Sequence, residues 1–217
     1  MGKYNFFNVD SFSMHTQIVK FIDYKKKVLD VGCADGNLAE VLASNESEVI
    51  GIEIDQIAAK KAQKFCKKVI MGDIESIELS IIYYDYFDYI LFADVLEHLK
   101  DPLIVLQRFK KYLNKDGYIL VSLPNISNWR MRLKILFGNF EYEDRGLLDN
   151  GHIRFFNEKS AKKLITDAGF EIIKFELTVG DLPLGSKFFH FLGTLWPNFM
   201  AYQFLIIAKK NDTLTSS

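Results

Sequence analysis

Four acidic side chains stand at or near the ends of short apolar segments that could form β-strands. Asp30, Glu53, Asp73 and Asp94 recur at intervals of about 20 residues, in or after segments such as VLDV, VIGIE and YILFAD. In an open parallel sheet, ligands bind beyond the carboxyl ends of the strands. Four carboxylates along this edge of the sheet favour a polar, hydroxylated and partly cationic ligand.

The turn after the first of these segments is rich in glycine. Gly32 and Gly36 enclose Cys33 and Ala34 in VLDVGCADGN, where a strand would run into a helix. Glycine lets the backbone approach a ligand closely, and a carboxylate about 20 residues later, here Glu53, suits the hydroxyls of a ribose. The turn matches neither the GxGxxG fingerprint nor a phosphate loop. An ordinary strand-to-helix turn remains the alternative.

Asp73 is followed by an apolar residue, Ile74. An acceptor carboxylate beside an apolar side chain could bind an adenine amino group and cover the face of the base. A simple turn is the alternative, since Gly-Asp commonly marks strand ends. Asp55, which follows Ile54, is interpreted as the N-cap of the next helix.

Histidine is the side chain best suited to proton transfer near neutral pH. His152 follows a long segment that should cover the ligand cleft, and we predict that it acts as a general base or orients an acceptor. His98, in VLEHL, is a second candidate, with a structural bracing role as its alternative. His15 and His190 lie in the first helical segment and in an aromatic segment, and neither is assigned a role.

Short apolar runs alternate with helical segments up to Leu123, and one further helix and two further strands follow after residue 157. The predicted strands are Val28–Val31, Glu48–Ile54, Val69–Met71, Phe87–Phe92, Tyr118–Leu123, Phe170–Val179 and Tyr202–Lys209, and the predicted helices are Asn37–Ala43, Gln56–Cys66, Pro102–Leu113 and Glu158–Ala168. This alternation predicts an α/β fold whose parallel sheet carries helices on both faces.

Length and composition limit the classes of protein that remain. The chain has 217 residues, with 27 Lys and Arg against 28 Asp and Glu, and hydrophobic residues make up 49%. These values are typical of a globular domain and exclude a disordered chain or a strongly basic nucleic-acid binder. Only two cysteines are present, with no CxxC, so no metal site is expected and a reduced, cytoplasmic setting is the default.

A single domain over residues 1–217 is expected, with an N-terminal cap at 1–25 and inserts at 125–151 and 180–199 that would cover a substrate. Trp129, Phe137, Phe140 and Tyr142 favour an apolar or ring-containing substrate, with a small separate core or an oligomer face as the alternative. Residues 188–208 carry no formal charge. Breaks at Gly193 and Pro197 favour a short helix, a turn and a strand over a membrane span. Contact with a lipid-linked acceptor and a homodimer both stay open.

Five segments resemble, in order, the successive motifs of class I S-adenosylmethionine-dependent methyltransferases. They are VLDVGCADGNLA, VIGIEID, GDIE, FDYILFADVLEHLKDP and LNKDGYILVSLPN. The later GHIRFFNEKSAKKLITDAGFEI resembles small-molecule enzymes of the ubiquinone-biosynthesis O-methyltransferase type and bacterial relatives of sugar or envelope biosynthesis. The resemblance implies a Rossmann-like, doubly wound sheet of seven strands, mostly parallel with the last antiparallel, and a helical insert after the fifth.

The resemblance also implies a role for each matching residue. The loop of Asp30, Gly32, Cys33, Ala34 and Gly36 would lie under the amino-acid part of S-adenosylmethionine. The ribose would contact Glu53, the adenine would contact Ile54, Asp73 and Ile74, and the methionine end would contact Ala93 and Asp94. The chain departs from the family at Ala34, where glycine is common.

The predicted function is methyl transfer from S-adenosylmethionine to an oxygen of a small molecule that is ring-containing, sugar-like or lipid-linked. A nicotinamide-dependent oxidoreductase is one alternative, favoured by the glycine-rich turn and Glu53 but opposed by the missing GxGxxG. A catalytically silent methyltransferase-like binding protein is the other alternative. Such a protein would retain the acidic cofactor-site residues poorly.

Overall fold

Seven β-strands form one mixed sheet in the computed structural model, which describes residues 14–180 and 186–211. The strands are β1 Lys27–Val31, β2 Glu48–Glu53, β3 Lys68–Met71, β4 Phe87–Ala93, β5 Leu113–Pro124, β6 Phe170–Thr178 and β7 Gln203–Lys210. Their order is β3-β2-β1-β4-β5-β7-β6, and β7 runs antiparallel to both neighbours. The predicted seven-stranded sheet with an antiparallel last strand is confirmed.

Helices occupy the connections between the strands. The α-helices are α1 Met14–Phe21, α2 Asn37–Ser44, α3 Gln56–Ala62, α4 Pro102–Phe109, α5 Trp129–Leu136, α6 Glu158–Asp167, α7 Ser186–Leu195 and α8 Pro197–Met200. Single 3₁₀ turns lie at Ile81–Tyr83, Leu96–His98 and Lys110–Tyr112. The helix predicted in the insert after β5 is α5.

Each face of the sheet is covered by its own apolar layer. Val28 of β1 belongs to a buried cluster with Ile18 of α1 and Leu42 of α2. The next residue, Leu29, belongs to a second buried cluster that contains Ile165 of α6. Because successive side chains of a strand point to opposite faces, strands that are apolar throughout fill both layers at once.

Side-chain caps explain where several helices begin. The Asp55 carboxylate accepts a hydrogen bond from the Ala58 N–H at 2.8 Å, which confirms its predicted N-cap role. Asp101 caps α4, whose first residue is Pro102, in agreement with the preference of proline for that position. These caps fix the helix starts at the same sheet edge as the strand ends.

Three predicted boundaries differ from the structure by four or five residues. The helix predicted over Pro102–Leu113 ends at Phe109, and a 3₁₀ turn covers Lys110–Tyr112. The helix predicted over Gln56–Cys66 ends at Ala62, and turns and bends cover residues 63–67 before β3. The strand predicted from Tyr118 begins at Leu113, because Leu113 pairs with Phe87 while Tyr118 pairs with Tyr89. More residues separate Leu113 from Tyr118 in β5 than separate Phe87 from Tyr89 in β4, so the additional residues of β5 form a bulge. The hydrophobic pattern of the sequence does not reveal where a bulge lies.

The uncharged stretch at residues 188–208 forms parts of α7, α8 and β7, as the helix, turn and strand interpretation predicted. Across residues 14–180 and 186–211, no helix combines the length and hydrophobicity that crossing a bilayer requires. The predicted N-terminal cap at 1–25 and insert at 180–199 fall partly outside the described residues.

Gly51 lies where β2 packs against the loop after β1, and we predict that alanine there destabilises the protein. An added Cβ would lie 2.5 Å from Cys33 Sγ and 3.3 Å from Cys66 Sγ. Gly51→Ala should therefore lower the free energy of unfolding by about 1–3 kcal/mol, measured by urea titration. Adding Cys33→Ala should restore part of the loss. An unchanged unfolding midpoint in the single variant would contradict this tight packing.

Candidate active site

A cavity of about 380 Å³ opens at the carboxyl ends of β1, β2, β3 and β4. Six residues assigned to a cofactor by sequence line it, namely Gly32, Glu53, Ile54, Asp73, Ile74 and Asp94. Its other described lining residues are Ile52, Gly72, Glu75, Val95, His98 and Leu99. The structure thus brings three of the four predicted carboxylates, on separate segments of the chain, to one concave surface.

The Glu53 carboxylate joins the two loops that follow β1 and β2. Its Oε2 accepts a hydrogen bond from the Ala34 N–H at 2.8 Å, and its Oε1 accepts bonds from the N–H groups of Ile54 and Asp55. Glu53 is buried, so it is not a solvated loop end. Ala34 has a φ of +46°, a left-handed conformation that alanine rarely adopts, and its hydrogen bond helps to hold this conformation.

The glycines of the first loop serve close packing as well as backbone freedom. Gly32 has a φ of +73°, and a Cβ there would lie 2.7 Å from a methyl group of Val95. Gly36 has a φ of +84°, and a Cβ there would lie 2.8 Å from the Cα of Ala62. Gly36 therefore allows α2 to begin directly against α3, a packing reason that sequence reasoning did not identify.

Five residues that the sequence assigns to the cofactor do not belong to the described lining of this cavity, namely Asp30, Cys33, Ala34, Gly36 and Ala93. Cys33 is buried, and its Sγ is directed toward Gly51 and Cys66. If Cys33 contacts a cofactor, it does so through its backbone.

Asp30 is a buried carboxyl group behind the loop, with 3% of its surface exposed. Burial, together with the nearby Glu53 carboxylate, raises the pKa of Asp30 to about 7. Within the described part of the chain, neither Asp30 nor Glu53 forms an ion pair with a lysine or arginine. A cation beside these two carboxyl groups would favour the ionised form of Asp30, so the pair favours a cationic ligand.

Asp94 is held by two side chains that sequence reasoning missed. Its Oδ1 accepts hydrogen bonds from Ser122 Oγ at 2.6 Å and from Gln203 Nε2 at 2.9 Å, and its own N–H donates to Ser122 Oγ. Ser122 lies on β5 and Gln203 on the antiparallel β7. Only the strand order places these residues beside the end of β4, so no local motif could have identified them.

A second cavity of about 190 Å³ adjoins the first, and Asp94 and His98 line both. Its other lining residues are Glu97, Pro124, Arg145, Gly146, Leu147, Asp149, His152, Tyr202 and Gln203. The structure therefore brings the two predicted catalytic histidines together, with ring centroids 4.8 Å apart. Burial and the neighbouring His98 lower the pKa of His152, and burial and Asp94 raise the pKa of Glu97 well above its ordinary value.

The insert contributes to the second cavity mainly through polar groups. Phe137, Phe140 and Tyr142 are half or more exposed and are absent from the described linings of both cavities. A small apolar cluster of the insert, built on Met131 and Leu148, packs separately from the two main layers. This cluster contains none of the four aromatic residues singled out in the sequence, namely Trp129, Phe137, Phe140 and Tyr142, so their predicted roles stay predictions.

Sequence comparisons relate the chain to known methyltransferases. A family described as a methyltransferase domain matches residues 12–174. A ubiquinone biosynthesis O-methyltransferase of Psychrobacter arcticus is 31% identical over 154 residues, which are 67% of this chain and 59% of that protein. The enzyme of the same name from Histophilus somni is 31% identical over 109 residues, 46% of each chain. The matched region thus spans about half of the length of these relatives.

Structural comparisons give the same fold. A crystal structure from Thermotoga maritima, described as an S-adenosylmethionine-dependent methyltransferase and possible histamine N-methyltransferase, has a TM-score of 0.64 at 20% identity, covering 90% of this chain and 87% of that one. An S-adenosylmethionine-dependent methyltransferase from Methanosarcina mazei has a TM-score of 0.63 at 20% identity, covering 89% and 96%.

The buried Asp30 predicts a pH-dependent stability. Its folded-state pKa of about 7 lies above the reference value of 3.8, so the folded protein retains this proton to higher pH than the unfolded chain does. The free energy of unfolding therefore falls as the pH rises from about 4 to 7, by about 1.4 kcal/mol per unit of pKa difference. Asp30→Asn should match the parent protein near pH 4 and exceed it by about 2–4 kcal/mol at pH 8.

Urea titrations at both pH values check this expectation. Asp116→Asn, a change of the same kind at an exposed position, serves as the control and should show nearly the same difference from the parent at each pH. A constant effect of Asp30→Asn across the pH range would contradict a raised pKa.

Proposed function

The chain belongs to the methyltransferase domain family of class I S-adenosylmethionine-dependent enzymes, and on that premise we propose that it methylates an oxygen atom of a small molecule. The observation that carries the proposal is the cavity in which Glu53, Asp73 and Asp94 meet, directly beside His98 and a second cavity. The names of the Psychrobacter and Histophilus relatives support oxygen as the methylated atom.

The first cavity fits an adenosyl group with a cationic sulfur. We assign the ribose hydroxyls to Glu53, whose buried carboxylate stands at the end of β2, because a carboxylate at this place suits a diol. Asp73 and the apolar flanks Ile54 and Ile74 suit the amino group and faces of an adenine. The carboxyl groups of Asp30 and Glu53 suit the ammonium end of the cofactor, with the backbone of residues 32–36 beneath it.

When bound, S-adenosylmethionine supplies a methyl group on a positively charged sulfur; the acceptor oxygen forms the new C–O bond while the C–S bond breaks and sulfur keeps its electron pair. The protein contributes alignment and electrostatics. Holding the acceptor in line at near-attack distance lowers the barrier by up to about 7–11 kcal/mol. The Asp94 carboxylate, fixed by Ser122 and Gln203, lies where the two cavities meet.

The second cavity is the proposed acceptor site, and its lining selects for a polar group at the reacting end. His98 and His152 are the residues that we propose to contact the acceptor oxygen, orienting it or taking its proton. Arg145 and Tyr202 line the same cavity and could bind further oxygens of the acceptor. A cytoplasmic location, a homodimer and a lipid-linked acceptor stay predictions.

Cofactor binding is tested by calorimetry with S-adenosylhomocysteine and with NAD. The parent protein should bind S-adenosylhomocysteine and not NAD, and Glu53→Gln should weaken that binding at least tenfold, because Glu53 organises the loop and faces the cavity. Glu48→Gln is the matched control, since Glu48 stands at the opposite end of the same strand and should leave the affinity unchanged. Binding of NAD in place of S-adenosylhomocysteine would support the oxidoreductase alternative.

Catalysis is tested by following S-adenosylhomocysteine release with a panel of hydroxylated aromatic and sugar acceptors. His152→Ala should lower kcat by about 10²–10⁴-fold while leaving the affinity for S-adenosylhomocysteine within twofold of the parent. His15→Ala, at an exposed position on α1, should keep the parent rate. Full turnover by His152→Ala would remove this residue from the mechanism, and cofactor binding without turnover of any acceptor would favour the silent binding protein.

A further inference from the structure

Three potential metal ligands meet where the two cavities join. Glu97 and His98 belong to the 3₁₀ turn after β4, and His152 follows the insert. One ligand atom from each of these side chains lies within 4.8 Å of the others, and His152 Nε2 is 3.9 Å from Glu97 Oε1. Because 54 positions separate His98 from His152 in the chain, no sequence motif joins them, and the sequence analysis assigned no metal.

The unpaired carboxylate oxygen of the buried Glu97 is the strongest evidence that a cation binds between these side chains. The residue is 1% exposed, and its Oε2 has no hydrogen-bond donor within the described part of the chain. Buried carboxylate oxygens nearly always have a partner, because leaving one unpaired costs the full desolvation penalty. A cation bound between the three side chains would supply the missing partner.

Both imidazoles are oriented as metal ligands usually are. His98 Nδ1 lies 2.9 Å from the Gly151 carbonyl oxygen, and His152 Nδ1 lies 3.4 Å from the Leu147 carbonyl oxygen. A carbonyl oxygen can only accept a hydrogen bond, so each Nδ1 carries the proton and each Nε2 keeps a free lone pair. Histidines that bind metals typically donate their second N–H to a carbonyl or carboxylate in this way.

The backbone holds the two segments in register. The N–H groups of Ile153 and Arg154 both donate to the Glu97 carbonyl oxygen at 3.0 Å. The residue directly after His152 is therefore tied to the residue that supplies the carboxylate. This contact organises the three side chains before any ion binds.

We propose that Glu97, His98 and His152 bind one divalent cation, which in turn binds the acceptor oxygen in the second cavity. Two imidazole nitrogens and one carboxylate favour Zn²⁺, Mn²⁺ or Co²⁺ over the all-oxygen ions Ca²⁺ and Mg²⁺, and three protein ligands leave coordination positions open. Two ligand atoms each about 2.1 Å from one ion are about 3.4 Å apart in a tetrahedral site and at most about 4.2 Å apart in any geometry, so the side chains must draw closer together when the ion binds.

The inference rests on the proposed function and adds to it a requirement on the acceptor. A coordinated hydroxyl loses its proton more easily, so the proton can pass to solvent, and His152 then orients the acceptor through the ion. An acceptor for this site must offer at least one oxygen that can bind a cation.

Calorimetry on the full chain, freed of metal with EDTA and dialysed, tests the site with Zn²⁺ and Mn²⁺ separately. We expect one ion per chain, with at least tenfold weaker binding in Glu97→Gln, His98→Ala and His152→Ala. His15→Ala, which removes an exposed histidine elsewhere, should bind as the parent does. Mn²⁺ is included because it prefers oxygen and nitrogen ligands over thiolates, so binding of Mn²⁺ cannot be attributed to Cys33 and Cys66.

His98 is exposed, so His98→Ala should fold even if the buried Glu97 variant does not. Unaltered metal binding in His98→Ala and His152→Ala, or an equal loss in His15→Ala, would overturn the proposal, as would the absence of saturable binding by the parent. Binding of S-adenosylhomocysteine to the metal-free protein is measured in parallel. It tests the proposed cofactor site independently, so failure of one proposal is distinguishable from failure of the other.

Discussion

A single buried carboxylate, that of Glu53, joins the two loops beside the first cavity. It accepts three backbone N–H groups, one from the loop after β1 and two from the start of the connection after β2. Hydrogen bonds to an ionised acceptor are stronger than neutral ones, and here they hold Ala34 in a left-handed conformation. The same residue lines the cavity, so one side chain fixes the loop geometry and, in our proposal, binds the ribose.

The site buries carboxyl groups that no described lysine or arginine pairs with. Asp30 is buried without a basic partner, and Glu97 is buried with one oxygen unpaired. Such groups reduce stability when they are ionised, because desolvation disfavours charge. A cationic ligand compensates for this cost, which gives a physical reason why a sulfonium cofactor, and in our proposal a metal ion, would bind where these carboxylates lie.

The antiparallel strand β7 and the residue before it contribute side chains to the site at the ends of the parallel strands. It places Gln203 on Asp94 and Tyr202 in the wall of the second cavity. The amides of Asn125 and Asn128 donate to the carbonyl oxygens of Ala201 and Met200, just before β7, and so attach the base of the insert to it. The second cavity therefore combines residues from the turn after β4 with residues from the second half of the chain.

The sequence by itself determined the strands, the sheet class and the acidic residues at the strand ends, because strand periodicity, helix caps and glycine turns are local properties. It also indicated His98 and His152 separately, since histidine suits proton chemistry wherever it occurs. Only the tertiary structure decided that these two rings meet beside Glu97, that Gln203 holds Asp94 and that Gly36 serves helix packing. Those contacts join residues far apart in the chain, and their geometry follows from strand order and close packing, which no local pattern encodes.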